Sequence, residues 1–484
     1  MKHSFDFTKS KILCTLGPAS NAEEKILELV KNGMNCVRIN FSHGDDRGKT
    51  EIFDRVKKVA PNIAILCDIQ GPKLRIGFVK DGVVVRRGGP FILTTEEVEG
   101  DWDRVTVSYK NLPQEVKPGE LIFINDGIVC VEVIKIEGTE IHCTVVTGGE
   151  LFTRKGLNLP HTELGLRVPT EKDLHDLKLI AKLNPAFVAA SFVGSADDVH
   201  TIRQLLETYG NPDIKIISKI ERPIAVTNFE EILEASDGIM VARGDLGVEL
   251  AAEEVPPVQK AMIKRCNIVG KPVIVATQML ESMVKAPIAT RAEVSDVYNA
   301  IEDGADCVML SAETASGDFP VEAVEVMHRI IKNSESHLPP RDADLFDSPS
   351  RATAETMGHL VHSACEQLKR QNIKKVKILC LTKSGFSARM ISKYRPPFPL
   401  LAVTYVPRAS WEMNFLWGVT PVLIPELEEA QKTWQRVKVA TEECMKKGII
   451  EKNDTIVLVG DFFNLPHSTN MISIFQADQI INMA

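Results

Sequence analysis

Eight short apolar segments recur between residues 11 and 314, and each is followed by polar residues and then by a helical pattern. Valine and isoleucine are frequent in these segments, and their hydrophobicity is nearly continuous, which is typical of strands buried in a parallel sheet. Eight strand-and-helix units predict an α/β fold, a closed (β/α)8 TIM barrel with its active site at the carboxyl ends of the strands. The segments are KILCTLG, CVRINFSHG, IAILCDIQGP, FVAASFVG, IKIISKIER, GIMVARGDLG, PVIVATQM and CVMLSAET.

The repeat is interrupted between Lys73 and about Pro169. This stretch alternates apolar and polar residues with a period of two, and Pro-Gly, Asp-Gly and Gly-Gly pairs separate its segments. It therefore predicts a small all-β domain inserted in one loop of the barrel. The alternating segments are GVVVRR, RVTVSY, LIFIND, VCVEVIKI and IHCTVV.

After a segment rich in proline and aspartate near residues 338–350, strand and helix patterns alternate again, which predicts a third, α/β domain. We therefore divide the chain into four parts. These are the first part of the barrel (1–72), the inserted β-barrel domain (73–168), the second part of the barrel (169–342) and the C-terminal α/β domain (343–484).

The composition limits the classes of protein to consider. With 44% hydrophobic and 25% charged residues, the 484-residue chain can form packed cores in several domains. A net charge of -8 argues against a non-specific nucleic-acid binder, which needs a basic surface. The ten cysteines lack metal-binding or redox spacing. Residues Met1 to Lys11 lack the apolar region of an export signal, and no run of about 18 apolar residues that could span a membrane occurs. We expect a soluble, cytoplasmic protein with no nucleic-acid or membrane partner.

Polar side chains follow several of the predicted strands. Arg38, Asn40 and Ser42 alternate along one strand end, so their side chains share a face, and the arginine there would bind phosphate or form a structural salt bridge. Lys219 and Glu221 also share a face. They either neutralise each other, or the lysine steadies a moving phosphoryl group while the carboxylate binds Mg²⁺.

Two further strand ends carry groups that suit an anionic substrate. Gly244 would let the backbone approach a ligand closely, and Asp245 would be a second metal ligand beside Glu221. Free amides at this helix start could bind a carboxylate. Thr277 offers a hydroxyl that would either contact substrate or cap a helix.

Eight motifs follow one another along the chain: RINFSHG, GPKLRIG, KGLNLP, ISKIE, MVARGDLGVE, ATQMLESM, TRAEVSDV and MLSAETASGDFP. Their order resembles that of the pyruvate kinases. By this resemblance the barrel is catalytic, the inserted β domain is a lid and the C-terminal domain is regulatory. The expected reaction is the Mg²⁺- or Mn²⁺-dependent transfer of a phosphoryl group from phosphoenolpyruvate to ADP, which gives pyruvate and ATP; a homotetramer is also implied.

The resemblance implies a role for each strand-end residue. Arg38 should contact the phosphoryl group, and Lys219 should stabilise it in transit. Glu221 and Asp245 should bind the divalent metal. Thr277 lies where the family delivers a proton to the enolate. The carboxylate of phosphoenolpyruvate should be held by Gly244, Asp245 and Thr277.

The resemblance also implies a nucleotide site, which lid closure would shield from water. Many family members hold K⁺ as well. Here Lys73 stands where K⁺-dependent members have glutamate, and its ammonium group would supply the positive charge of the ion, so we expect no requirement for K⁺. The nucleotide residues are Asn40, His43, Arg75 and Lys155, and the positions that match the K⁺ site are Asn40, Ser42, Asp68 and the carbonyl of Ile69.

One loop of the C-terminal domain resembles the effector loop of the family, whose hydroxyls and amides form an anion nest. The final segment, VGDFFNLPHSTNMI, lacks the glycine-rich loop of the sugar bisphosphate binders. A nucleotide monophosphate or a sugar phosphate is therefore the expected effector, unless the loop is vestigial. The loop residues are Thr382, Lys383, Ser384, Gly385, Phe386 and Ser387.

Other functions fit the sequence less well. Barrel aldolases and lyases that act on phosphoenolpyruvate or pyruvate lack the inserted domain and the effector domain, and a dikinase would need a swivelling histidine domain. A catalytically silent metabolite sensor would not need Lys219, Glu221, Asp245 and Thr277 together.

Overall fold

The computed structural model describes residues 7–481 apart from residues 126, 161, 163–164, 167, 340–351, 431 and 461–468. Among the helices of these residues, none combines the length and the apolar character that crossing a bilayer requires.

The first part of the barrel follows the predicted strand-and-helix pattern. Its elements are β1 (Lys11–Thr15), α1 (Glu23–Lys31), β2 (Cys36–Asn40), α2 (Asp46–Val59) and β3 (Ala64–Asp68). All five residues of β1 and of β3 are buried, in keeping with their continuous hydrophobicity. The carboxylate of Asp45 caps α2 by accepting a hydrogen bond from Gly48 N at 2.8 Å.

Between β3 and the next barrel helix the chain forms a mainly antiparallel β structure with its own apolar core. Its elements are β4 (Val84–Val85), β5 (Pro90–Thr94), β6 (Arg104–Thr106), α3 (Leu112–Glu115), β7 (Leu121–Ile124), β8 (Val129–Glu137), β9 (Glu140–Thr147), β10 (Gly149–Glu150) and β11 (Leu157–Asn158). Six strands form one sheet in the order β11-β7-β8-β9-β5-β6, and β10 pairs with β4. The period-two segments thus predicted most of the strands, but not β5, β10 and β11.

The second part of the barrel supplies five more strands. Its elements are α4 (Glu171–Leu183), β12 (Phe187–Ala190), α5 (Ala196–Thr208), β13 (Lys215–Ile220), α6 (Pro223–Thr227), α7 (Phe229–Ala235), β14 (Gly238–Ala242), α8 (Arg243–Glu249), α9 (Val255–Val269), β15 (Val273–Ala276), α10 (Arg291–Asp303), β16 (Cys307–Leu310), α11 (Ala312–Ala315) and α12 (Pro320–His337). The strands close into a parallel barrel in the order β1-β16-β15-β14-β13-β12-β3-β2. This confirms the predicted TIM barrel, in which each of the eight apolar segments contains one strand.

The C-terminal part is a five-stranded sheet with helices, as predicted for an α/β domain. Its elements are α13 (Ala352–Arg370), β17 (Val376–Leu381), α14 (Phe386–Lys393), β18 (Leu400–Thr404), α15 (Pro407–Glu412), β19 (Val419–Leu423), α16 (Thr433–Lys446), β20 (Thr455–Gly460), β21 (Met471–Gln476) and α17 (Ala477–Ile481). The strand order is β19-β18-β17-β20-β21, and only β21 runs antiparallel to its neighbour. Strand β21 was not predicted.

The C-terminal domain closes the amino-terminal end of the barrel. Phe415 is fully buried and belongs to the same apolar cluster as the side chains inside the barrel, and its ring lies edge-on to Phe187 with 4.6 Å between the ring centroids. Lys11 Nζ donates to Val419 O at 2.6 Å across the same boundary. The opposite, carboxyl-terminal end of the barrel faces the inserted domain and carries the polar clusters.

Candidate active site

Asp68, the last residue of β3, is the centre of a buried charge cluster. Arg38 Nε donates to Asp68 Oδ2 at 2.7 Å, and Lys219 Nζ lies 3.3 Å from Asp68 Oδ1. Burial alone would raise the pKa of Asp68, but the charges of Lys219 and Arg38 outweigh that effect and the pKa is lowered. Both cations are thus held by one ionised carboxylate, and the salt bridge that the sequence allowed for Arg38 is present.

Lys219 is fixed by three groups. Its Nζ donates to Ser191 Oγ at 2.7 Å and lies 2.9 Å from Glu221 Oε1, besides its contact with Asp68. Burial lowers the pKa of Lys219, but Asp68 and Glu221 reverse the effect, so the pKa is raised and the ammonium stays charged. A fixed positive charge at the mouth of the barrel can stabilise a negative group that moves across it.

Glu221 has one oxygen that suits a metal ion. Its Oε2 accepts a hydrogen bond from Phe192 N at 2.6 Å, whereas Oε1 is buried and has no hydrogen bond of acceptable geometry, although Lys219 Nζ is close. Burial raises the pKa of Glu221, and the nearby charge of Asp245 raises it further. A buried carboxylate with one oxygen outside any hydrogen bond of good geometry, beside a second carboxylate, fits the preference of Mg²⁺ for one or two carboxylates plus substrate oxygens and water.

Asp245 is paired with a lysine from the start of the inserted segment. Lys73 Nζ lies 2.6 Å from Asp245 Oδ1. Within the described parts of the chain, no hydrogen bond or ion pair joins Lys73 to Asn40, Ser42 or Asp68. The structure thus brings Lys73 to the predicted divalent site, and the replacement of K⁺ by Lys73 stays a prediction.

Two of the other positions that match the K⁺ site have their oxygens in hydrogen bonds within the protein. Asn40 Oδ1 accepts from Ser42 N at 3.0 Å, and the carbonyl of Ile69 accepts from Ser191 Oγ at 2.7 Å. Ser191 Oγ also lies 3.2 Å from Asp68 Oδ1, so it connects this group with the charge cluster.

Thr277 and Gly244 lie side by side at the ends of β15 and β14. Thr277 Oγ1 accepts from Gly244 N at 2.7 Å, and Thr277 adopts a left-handed backbone conformation with φ of +68°. Arg243 donates to Thr277 O at 2.7 Å and pairs with Asp296 at 2.7 Å, which holds the strained loop in place. The hydroxyl and the amide are thus bound to each other, so a substrate carboxylate would have to share or replace this bond.

The four predicted nucleotide residues belong to the barrel, which contains Asn40 and His43, and to the inserted segment, which contains Arg75 and Lys155. The pKa of His43 is lowered by burial and by the charges of Arg75 and Arg38, so the imidazole is neutral near pH 7. Arg75 donates to Arg154 O at 2.9 Å, and Lys155 Nζ lies 5.9 Å from the ring of Phe152. Nucleotide binding by these two cations stays a prediction.

Comparison with known proteins decides the family. The model of the pyruvate kinase barrel domain matches residues 7–324, and that of the pyruvate kinase alpha/beta domain matches residues 359–475. A pyruvate kinase from Geobacillus stearothermophilus is 41% identical over 460 residues, which cover 93% of this chain and 77% of the relative. One from Clostridium acetobutylicum is 39% identical over 473 residues, which cover 96% of this chain and 99% of the relative. The chain belongs to the pyruvate kinase family. It is therefore a phosphotransferase.

Two contacts near the site were not predicted from the sequence. Ser191 bridges Lys219, Asp68 and Ile69, and Asn158 of the inserted segment donates to Glu249 Oε1 at 2.9 Å. Ser191 directly follows β12, just as several of the predicted site residues directly follow their own strands. Its place at a strand end could therefore have marked it as a candidate site residue. The partners of Asn158 could only be known from the tertiary structure of this pyruvate kinase family member.

The loop that resembles the effector loop of pyruvate kinases joins β17 to α14. Gly385 N donates to Thr382 Oγ1 at 3.0 Å, and the φ of +79° at Gly385 allows the tight turn. Ser387 Oγ lies 2.6 Å from Thr469 Oγ1, whereas Lys383 and Ser384 are exposed. Effector binding by this loop stays a prediction, and part of the final segment, residues 461–468, lies outside the described residues.

The described residues contain no group of three or more histidine, cysteine, aspartate or glutamate side chains that could hold a metal by themselves. A pyruvate kinase site built from Glu221 and Asp245 would accordingly need oxygens from substrate or water.

Proposed function

We propose that the chain transfers the phosphoryl group of phosphoenolpyruvate to ADP, releasing pyruvate and ATP, with Mg²⁺ or Mn²⁺. The observation that carries this proposal is the cluster of Arg38, Lys219, Asp68 and Glu221 at the carboxyl ends of the barrel strands. Two fixed cations beside a buried carboxylate can align and shield two polyanions. Release of an enol that becomes a ketone makes the transfer to ADP favourable.

Glu221 and Asp245 would hold the divalent cation. The buried Oε1 of Glu221 faces Lys219 Nζ at 2.9 Å, and Asp245 is close enough to raise the pKa of Glu221. The ion would supply positive charge for the oxygens of the transferred group. Because Lys73 pairs with Asp245, the ammonium group would have to share this carboxylate or move away.

The substrate would lie between Lys219 and Thr277. Arg38 and Lys219 would bind the phosphoryl group, and their shared partner Asp68 keeps both side chains oriented. The substrate carboxylate would be held by the amides of Gly244 and Asp245 and by Thr277, whose hydroxyl lies 2.7 Å from Gly244 N. Thr277 would then pass a proton to the enolate, through water.

The nucleotide would occupy the cleft near Asn40, His43, Arg75 and Lys155. Neutral His43 can accept or donate a hydrogen bond without adding charge, whereas Arg75 and Lys155 suit the phosphates of ADP. The inserted segment that carries Arg75 and Lys155 would act as a lid that excludes water.

We further propose, by resemblance to the family, that the enzyme works without K⁺, that it is a cytoplasmic homotetramer, and that the C-terminal domain is regulatory. We also keep the domain boundaries proposed from the sequence, which lie between residues 72 and 73, between 168 and 169 and between 342 and 343. The loop from Thr382 to Ser387 would bind a phosphorylated effector, because its hydroxyls surround a tight turn.

The decisive experiment measures pyruvate formation from phosphoenolpyruvate and ADP with Mg²⁺ for the wild type and for Lys219→Met. Loss of the fixed charge should lower kcat by about 10²- to 10³-fold, the usual cost of one preorganised electrostatic group. Lys285→Met, which changes an exposed lysine paired with Asp318, is the matched control and should keep wild-type activity. Equal rates for wild type and Lys219→Met would refute the proposal, and an inactive wild type would favour a silent sensor.

A further inference from the structure

Asp173 lies in the first turn of α4, just after the chain has returned from the inserted segment to the barrel. Its side chain is completely buried. Together with Thr170 it forms a capping box, in which Asp173 Oδ2 accepts hydrogen bonds from Thr170 N at 2.9 Å and from Thr170 Oγ1 at 2.6 Å. A capping box needs only one carboxylate oxygen, so the cap of α4 leaves Oδ1 of Asp173 for another bond.

The second oxygen binds the other connection of the inserted segment. Asp173 Oδ1 accepts a hydrogen bond from Gly71 N at 3.1 Å, and Gly71 lies where the chain leaves β3 for the insertion, 102 positions earlier. One buried carboxylate thus binds the outgoing and the returning connection, which must lie side by side. Capping of α4 accounts for the bonds to Thr170 but not for the bond to Gly71.

Gly71 is also confined by the residues that follow β12. Its backbone is left-handed, with a φ of +67°, and a Cβ at this position would come within 2.9 Å of Ser191 and 3.0 Å of Phe192. The outgoing connection therefore has little room to slide, and the bond to Asp173 fixes the direction of its amide.

Helix α4 holds Asp173 firmly on the barrel. Lys172 Nζ donates to Phe41 O, directly after β2, at 2.8 Å and to Asp176 Oδ2 at 2.5 Å. Asp176 Oδ1 in turn pairs with Lys49 of α2 at 3.1 Å, and both of these side chains are buried. The start of α4 is thereby bound to the neighbouring barrel unit, so Asp173 is a fixed point relative to which the inserted segment is placed.

We propose that Asp173 positions the inserted segment as the common anchor of its two connections, and that this anchor determines how tightly the enzyme binds ADP. Two connections held side by side let a segment rotate about them but prevent it from drifting, as in a hinge. The inserted segment carries Arg75 and Lys155, the cations proposed for the nucleotide. Arg38 and Lys219, proposed for the phosphoryl group of phosphoenolpyruvate, lie on barrel strands. The statement about ADP rests on the proposed function, whereas the anchoring of the two connections does not.

Asp173→Asn tests the anchor with little change of shape. Asparagine has one acceptor oxygen and an NH₂ group that only donates, so it cannot accept from both Gly71 N and Thr170 N. One connection must lose its bond, and the cations of the inserted segment are then held less firmly over the barrel. We expect the KM for ADP to rise about tenfold, whereas the dissociation constant of phosphoenolpyruvate, measured by isothermal titration with Mg²⁺, should stay within about twofold.

The placement of the inserted segment can be measured without catalysis. All ten native cysteines are buried, so spin labels can be attached selectively to Lys117→Cys in the inserted segment and to Asp54→Cys on α2, both of which are exposed positions. Double electron-electron resonance then gives the distribution of distances between the two labels. In Asp173→Asn this distribution should be about twice as wide as in the labelled protein with Asp173.

Asp198→Asn is the matched control. Asp198 occupies the same position in the first turn of α5, where its Oδ2 accepts from Gly194 N at 2.7 Å and from Ser195 N at 3.2 Å. Both bonds remain within one barrel loop, so the same exchange should leave the distance distribution and the KM for ADP as in the wild type.

A second pair of variants covers the case in which Asp173→Asn does not fold, as its thermal midpoint would show. Thr170→Val removes the hydroxyl that donates to Asp173, and it should widen the distance distribution and raise the KM for ADP, each by a smaller factor. Thr170→Ser keeps the hydroxyl and should match the wild type.

Several results would overturn the inference. These are an unchanged distance distribution in Asp173→Asn or, if that variant is unfolded, in Thr170→Val; equal weakening of ADP and phosphoenolpyruvate; or the same effects in Asp198→Asn, which would reduce Asp173 to an ordinary helix cap. An unchanged distribution with intact pyruvate formation would refute this inference alone. A widened distribution in a protein that forms no pyruvate would refute the proposed function alone.

Discussion

Lys73 Nζ lies 2.6 Å from Asp245 Oδ1, although the two residues are 172 positions apart in the chain. The pair joins the start of the inserted segment to the end of β14. It also puts a cation beside Asp245, the carboxylate that raises the pKa of Glu221. The charge at position 73 therefore acts directly on the groups proposed to bind the metal and the substrate.

Replacement of Lys73 by glutamate should make activity depend on K⁺. The variant removes one positive charge and adds a negative one beside Asp245, so anionic substrates are repelled unless a monovalent cation compensates. We expect kcat in sodium or Tris buffer to fall at least tenfold, about 1.4 kcal/mol in the activation free energy, and to recover with K⁺ at constant ionic strength. Lys80→Glu makes the same change at an exposed lysine paired only loosely with Asp101, at 3.9 Å, and is the control. A wild type that itself needs K⁺ would contradict the prediction.

Gly71→Ala should damage the active site through Ser191. Gly71 has a φ of +67°, and a Cβ there would come within 2.9 Å of both Cβ and O of Ser191, the residue that binds Lys219. Gly82→Ala is the matched control, because its φ is +74° but nothing lies within 4 Å of the added Cβ. Both variants should lose about 1–2 kcal/mol of stability to backbone strain, but only Gly71→Ala should also lower kcat, about tenfold or more. Similar kcat values for the two variants would show that Ser191 does not position Lys219.

The barrel could be predicted from the sequence because its strands are buried on both faces and therefore appear as continuous apolar runs. Strand β5, Pro90–Thr94, was missed because its apolar and polar residues do not alternate clearly, and β21, Met471–Gln476, because it was taken as part of the final loop segment. Both are recognisable only by their partners, β9 and β20.

The candidate site was predictable to the extent that the period of a strand determines which side chains share a face. Lys219 and Glu221 follow this rule and lie 2.9 Å apart. The pairing of Lys73 with Asp245 does not follow from local pattern, because it joins different strand ends and depends on how the inserted segment packs. The same holds for Asn158 and Glu249.

The protein should lose stability as pH rises above about 8.5, the ordinary pKa of a thiol. All ten cysteines are buried and unpaired, and burial raises the pKa of every one. Thiols then ionise first in the unfolded chain, and each removes about 1.4 kcal/mol per pH unit from the free energy of unfolding. Among the described residues, four lysines with lowered pKa act in the opposite direction, too few to offset ten thiols: Lys9, Lys11, Lys57 and Lys271.

Urea unfolding at pH 8 and pH 10 in the presence of a reductant measures this effect. The midpoint should fall on going to pH 10, and Cys444→Ala should reduce the pH dependence by the share of one thiol. In the native protein at pH 8, Ellman's reagent should find the ten thiols unreactive. A midpoint that stays constant or rises with pH would show that the thiols do not dominate.

Phe415→Ala should destabilise the barrel together with the C-terminal domain. The ring is fully buried among side chains from the barrel interior, and it packs edge-on against Phe187. Its removal leaves a cavity and should cost about 3–5 kcal/mol in the free energy of unfolding, measured by urea denaturation. Trp434→Ala, which removes a ring that is 42% exposed in the same domain, should cost much less and is the control. If the two variants lost equal stability, the plug formed by Phe415 would not be what holds the C-terminal domain to the barrel.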